Sequence, residues 1–122
     1  MENLIEDIKV RISILLQRIE DVPEYLKPKV NISNDLAYPF IDVGFDGSLY
    51  YVVRERGVEV ERIMFYSVDS LLFKIFKDLT FELAMKKEIE LRHGDEQYSI
   101  DKIYQIQDEL MKRLNPSWCN GY

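Results

Sequence analysis

The dipeptide Asp46-Gly47 stands between two runs of alternating apolar residues. Ahead of it, Ile41, Val43 and Phe45 alternate with Asp42 and Gly44; behind it, Leu49 to Arg54 is rich in Tyr and Val. Asp-Gly in that setting is a strong hairpin signal, because both residues tolerate the positive φ of a tight turn. A second turn at Arg56-Gly57 leads into Val58 to Tyr66, a third strand. Residues 39–66 therefore read as a three-stranded antiparallel meander. A sheet this small needs a cover on at least one face.

Its covers are legible on both sides. Leu4, Ile5, Ile8, Ile12, Leu15, Leu16 and Ile19 recur at three- and four-residue spacing, which predicts a helix over 2–20. Pro23 and Pro28 punctuate the connection 21–37, which Val22, Tyr25, Leu26 and Val30 pin to the core. A long helix is expected over 68–93, capped by Ser67 or Asp69 and closed by Gly94. Its first stripe is Val68, Leu71, Leu72, Ile75, Phe76, Leu79 and Leu83. Phe81, Ala84, Met85 and Glu88 form a second face. Ile103, Ile106, Leu110 and Leu114 predict a last helix over 97–114, which Pro116 stops. Trp118 is expected to pack down behind it. The fold class is thus α+β: an N-terminal helix, a β-meander, then two helices packed on one face of the sheet.

Alternation assigns the faces of that sheet. Ile41, Val43, Phe45, Leu49, Tyr51, Val53, Val58 and Val60 are expected to point inward. Asp42, Tyr50, Val52, Arg54, Glu59 and Glu61 are expected to point outward. The apolar phase shifts after Glu61, to Ile63 and Phe65, as a β-bulge would make it do.

Composition narrows the chemistry. The 122 residues suit one domain, 1–122, with 22 acids against 16 bases and a net charge of −6. That balance argues against a general nucleic-acid or anionic-membrane binder, which needs a basic footprint. One cysteine, Cys119, and one histidine, His93, leave no disulfide, no Cys/His metal site and no spare base for a nucleophile. The start Met1-Glu2-Asn3 lacks the basic residues and apolar run of a secretory signal, and no segment is apolar for the length of a membrane span. The expectation is a cytoplasmic protein with no cofactor, no metal and no small-molecule substrate.

Carboxylates carry the functional reading. Asp42, Asp46, Glu55, Glu59 and Glu61 cluster on the meander beside Tyr50. These six are the candidate partner-binding residues: acids for a basic partner, and a tyrosine for area with a polar tip. Glu88 and Arg92 stand four apart on a helix in the favourable order and read as a structural ion pair, which Asp95 could join. His93 reads as a helix-end residue and Cys119 as incidental.

An ordered set of residues resembles the immunity protein 63 family. It comprises Gly47, Leu49-Tyr50-Tyr51-Val52-Val53, Glu55-Arg56-Gly57 and Glu59, then Asp69, Leu71-Leu72, Thr80-Phe81 and Ala84. Glu88, Leu91, Arg92, Asp95, Gln107, Leu110, Leu114 and Trp118 complete it, so that it spans about residues 39–118. Two positions depart: Glu96 or Gln97 stands where the family has Arg, and Ile103, beside Tyr104, where it has an aromatic. The resemblance implies a bacterial protein, not an enzyme, that neutralises a polymorphic or contact-dependent growth-inhibition toxin. The partner would be the C-terminal domain of a cognate toxin, a nuclease and most simply an RNase. The alternative is a regulatory interaction module with a non-toxin partner. A hydrolase built on carboxylates alone has no support in the sequence.

Overall fold

A computed structural model describes residues 2–92, 94, 97 and 99–118, with the side chain of Glu2 excepted. His93, Asp95, Glu96 and Cys119 lie outside the described residues. The order is one helix, three antiparallel strands and two helices, as the periodicities predict. The chain divides into two compact units, residues 1–75 and 76–122.

In the first unit, helix α1 spans Glu2–Gln17 and buries Ile8, Ile12 and Leu15, the expected stripe. It ends three residues short of the predicted 20, while Ile19 is still buried beyond it. The connection that follows adds to the sheet. Val30 forms a parallel bridge to Ile41: the Asn31 N–H donates to the Ile41 carbonyl at 2.7 Å, and the Ile41 N–H donates to the Lys29 carbonyl at 2.9 Å. The Asn31 side chain copies a peptide group, accepting from the Val43 N–H at 2.7 Å. Of the residues expected to pin this segment, Val30 is buried, Val22 and Leu26 are half-buried, and Tyr25 is exposed.

Strand β1 is Phe40–Val43, β2 is Leu49–Glu55 and β3 is Val58–Phe65, in sheet order β1-β2-β3. Ile41 faces Tyr51 and Val43 faces Leu49; Tyr51 faces Ile63 and Leu49 faces Phe65. Directly opposed residues share a face, so these six form the inner one. Lys74 lies 5.1 Å from the centre of the Tyr51 ring there. Asp42, Tyr50 and Met64 form one row of the other face, and Phe40, Val52 and Arg62 the next.

Four expectations about this sheet need correction. Phe45 is 99% exposed, because β1 stops at Val43 and residues 44–48 form the loop. The Asp46 carboxylate draws that loop tight, accepting from the Ser48 N–H at 3.1 Å and the Ser48 hydroxyl at 2.6 Å. Val52, expected outward, is on the outward face yet fully buried, since Phe40 and Arg62 flank it across the strands and Tyr50 and Arg54 along its own. Val58 and Val60, expected inward, are exposed. Glu61, expected outward, opposes Val53 and so shares the Tyr51 face. Val58 opposes Glu55 on the expected face but is exposed beside the β2–β3 turn, whereas Val60 and Glu61 are displaced by a bulge. Arg54 pairs with Glu59 but Val53 with Glu61, which leaves Val60 as the extra residue, one position before the predicted phase shift.

Helix α2 runs Val68–Leu91. Ser67 is its cap, accepting from the Ser70 N–H at 3.1 Å, while Asp69 in the first turn pairs with Arg11. Gly94 beyond its end has φ +60°, the left-handed conformation of a helix terminator. Within the second unit, residues 76–91 of α2 bury Phe76, Leu79, Thr80, Leu83, Ala84 and Glu88. Helix α3, Ile100–Leu114, starts three residues later than predicted because Ser99 caps it, accepting from the Lys102 N–H at 3.3 Å. It buries Ile103, Gln107, Leu110, Met111 and Leu114. The Gln107 amide reaches the Lys77 carbonyl at 2.9 Å, and the Thr80 hydroxyl donates to the same oxygen at 3.1 Å. Trp118 is buried in the turn after Pro116, as expected.

Candidate partner-binding surface

The six residues singled out by sequence fall into two groups. Asp42, Tyr50 and Glu59 share the outward face of the sheet, and Asp46 stands in the loop at one end of it. Glu55 and Glu61 belong to the opposite face, toward the β2–β3 turn. Glu55 lies in a row between Leu36 and Val58, both exposed.

Arg62 organises the first group. Its Nη1 is 3.2 Å from Asp42 Oδ2, and its Nε donates to Glu59 Oε1 at 2.9 Å. Its guanidinium carbon sits 4.9 Å from the centre of the Tyr50 ring, within cation–π range. Three strands and one bulge are needed to build this cluster: Asp42 comes from β1, Tyr50 from β2, and Glu59 and Arg62 flank the extra residue Val60 on β3. Arg54 holds a parallel position on the same face, bound to Asp35 at 3.0 Å and to the Gly57 carbonyl at 3.1 Å.

The hydrogen bond from Arg62 holds Glu59 below the usual carboxylate range, and Arg62 itself is raised by Glu59 and Asp42. Ser48 lowers Asp46 in the same way through its hydroxyl and its backbone N–H. The Asp42 and Glu59 side chains remain 38% and 37% exposed, so solvent screens the pairing. Asp42, Glu59, Arg54 and Arg62 line an open groove of about 690 Å³ together with Ile5, Phe40, Val43 and the exposed Phe45.

Arg62 and Phe45 are not among the residues that the sequence pattern singles out. Arg62 becomes visible only when the bulge is placed, because plain alternation from Glu61 misassigns the faces. Phe45 reads as a core residue until the loop is seen to begin at Gly44.

The second cluster is at the end of α2. Glu88 is 1% exposed at its side chain, and Arg92 grips it with Nε at 3.0 and 2.9 Å from the two carboxylate oxygens and Nη2 at 2.6 Å from one. Arg92 lowers the Glu88 pKa, with smaller help from the Ser99 backbone and Lys102. This is the ion pair that the spacing predicts. Asp95 lies outside the described residues. Among the described residues, no three His, Cys, Asp or Glu side chains gather to hold a metal ion, and no helix is long and apolar enough to cross a membrane.

The family pattern carried by β2, β3, α2 and α3 is decisive for relationship. The sequence profile of Immunity protein 63 matches residues 46–121. The chain belongs to the immunity protein 63 family. An immunity protein has a toxin protein as its partner. No curated protein and no solved structure matches the chain. The matched segment takes in Asp46, Tyr50, Glu55, Glu59, Glu61 and Arg62, and begins just after Asp42 and Phe45.

Proposed function

We propose that residues 1–122 act as one cytoplasmic, non-catalytic immunity domain that neutralises a cognate nuclease toxin, an RNase in the simplest case. Binding covers the toxin's substrate surface. The contacts proposed are Asp42, Asp46, Tyr50 and Glu59 at the centre, with Glu55 and Glu61 beyond the bulge.

The observation that carries this reading is the half-exposed Asp42–Arg62–Glu59 cluster beside Tyr50. A nuclease must present Lys, Arg or His to phosphate, so its active surface is cationic. Carboxylates held at fixed positions resemble that polyanion and speed encounter by steering. Arg62 keeps the two carboxylates in place while leaving them in water.

The test is to co-express the chain with the C-terminal toxin domain encoded beside it. A stable complex, protection of cells and loss of RNA cleavage are expected. A folded toxin domain that fails to bind removes the proposal. An association rate that is equal at low and high salt removes the steering component alone.

A further inference from the structure

We propose that the energetic centre of the toxin interface is an apolar patch at the β1–β2 loop end of the sheet, made by Phe45, Tyr50, Met64 and Tyr66. This rests on the immunity reading and names what that site grips: a toxin surface with an apolar recess bordered by Lys or Arg. Phe45 is 99% exposed and Tyr66 is 94% exposed, so neither ring contributes burial to the fold. Both belong to the same end of the sheet. Phe45 is in the loop after Val43, Tyr66 follows Phe65, and Val43, Leu49 and Phe65 are paired across the three strands.

Tyr50 and Met64 face each other directly, and Met64 is 43% exposed. Tyr66 comes two residues after Met64, one position past the end of β3. Phe45 lines the groove that also holds Asp42, Glu59 and Arg62, so it stands beside that cluster at the loop end. Strands β1 and β3 are two strand spacings apart, roughly 10 Å, so the four residues gather at one end of the sheet. Aromatic residues and Met are the types enriched at the centres of protein interfaces.

The patch is held ready. The Phe45 loop is closed by the Gly44 N–H on the Ser48 carbonyl at 2.9 Å, by the Gly47 N–H on the Gly44 carbonyl at 3.0 Å, and by the Asp46–Ser48 bonds. Tyr66 is followed at once by Ser67, the cap of α2. Fixed anchors lose little freedom on binding. The rim sets the partner's charge: Asp35, Asp42, Asp46 and Glu59 against Arg54 and Arg62 leave two negative charges, four minus two. A cationic border around an apolar recess fits that rim.

The experiment is calorimetric titration of the full chain with the adjacent-gene toxin domain, using wild type, Phe45→Ala, Tyr66→Ala and Val58→Ala. Val58 is the control: 61% exposed, apolar, and at the other end of the sheet. Phe45→Ala and Tyr66→Ala are expected to weaken binding about 30-fold or more, as interface anchors do. They should leave the melting temperature unchanged, with Val58→Ala close to wild type in both. If wild type binds and the two aromatic variants weaken no more than Val58→Ala, the patch is overturned while the immunity reading stands. If wild type does not bind, the immunity reading falls and the toxin-facing patch with it. If sedimentation shows a dimer of the free chain that Phe45→Ala dissolves, a second copy is the occupant and the proposal is overturned.

Discussion

Two arginines in this protein each hold a carboxylate, and they do opposite jobs. Arg92 meets Glu88 where the carboxylate side chain is 1% exposed; Arg62 meets Asp42 and Glu59 where 38% and 37% of each remains in water. A charge removed from solvent must keep its partner, because a lone buried carboxylate is strongly unfavourable. A charge left in solvent gains little from its partner but stays available to another protein. The two clusters therefore differ in consequence: the first secures a helix end, and the second leaves paired charges in water on an open face.

Breaking the buried pair should have the largest effect on stability. Arg92→Ala strands the Glu88 carboxylate, and its melting temperature should fall further than that of Gln107→Ala, Arg62→Ala or Ser48→Ala. Glu88→Gln is milder and tests the electrostatics. The folded pKa of Glu88 lies below its unfolded value, so the pair stabilises the fold above about pH 4.3 and that stabilisation is lost as pH falls through the folded pKa. In Glu88→Gln, melting temperature should depend less on pH below that point than in wild type. An unchanged acid limb would show that the pair is not where the acid sensitivity lies.

Gln107 separates charge from hydrogen bonding in the same unit. Its amide reaches the Lys77 carbonyl and lies 3.5 Å from the Thr80 hydroxyl, with no net charge involved. Gln107→Ala should cost about 1–3 kcal/mol in denaturant unfolding, the usual loss for a buried hydrogen-bonding group. A loss as large as that of Arg92→Ala would mean that burial of the polar group, not charge, governs this helix pair.

The order of elements is legible in the sequence because two periodicities alternate cleanly along the chain. Glu88–Arg92 is legible because i,i+4 spacing on a helix is enough to bring the pair together. The surface cluster is only half legible, and the reason is geometric. Asp42 and Tyr50 follow from alternation and the hairpin, whereas Glu59 and Arg62 share a face only because Val60 is extra in the ladder. One bulge reassigns Glu61 to the other side. Phe45 misleads because Gly44 begins the loop, so the alternation ahead of Asp46-Gly47 outlasts the strand itself. The bridge from Val30 to Ile41 has no signal, since two backbone hydrogen bonds impose no side-chain period on the connection.

Arg62→Ala sharpens the contrast from the open side. Melting temperature should be nearly unchanged, because the pairing is screened. Removing the guanidinium takes the rim from two negative charges to three, and association with a basic toxin should become severalfold faster at low salt by stopped-flow. The gain should vanish at high salt, where screening shortens the reach of the charges. If dissociation rises by more than association, Arg62 is holding Asp42 and Glu59 in their binding positions, and order outweighs charge at this site.

The smallest effect is expected at Ser48, and it tests whether the loop end of the face is set by a single carboxylate. Ser48→Ala deletes the hydroxyl that Asp46 accepts at 2.6 Å but keeps the backbone N–H bond at 3.1 Å. The hydroxyl is the largest cause of the lowered Asp46 pKa, so that pKa should rise toward the ordinary carboxylate range in an NMR titration. The melting temperature should scarcely move, because the group is in water and the Gly44–Ser48 backbone bond survives. Toxin dissociation should be slightly faster, since a looser loop presents Phe45 in more than one orientation. A wild-type Asp46 pKa in the variant would show that the backbone alone fixes the loop, and the open face would then owe its order to Arg62 and the strand register.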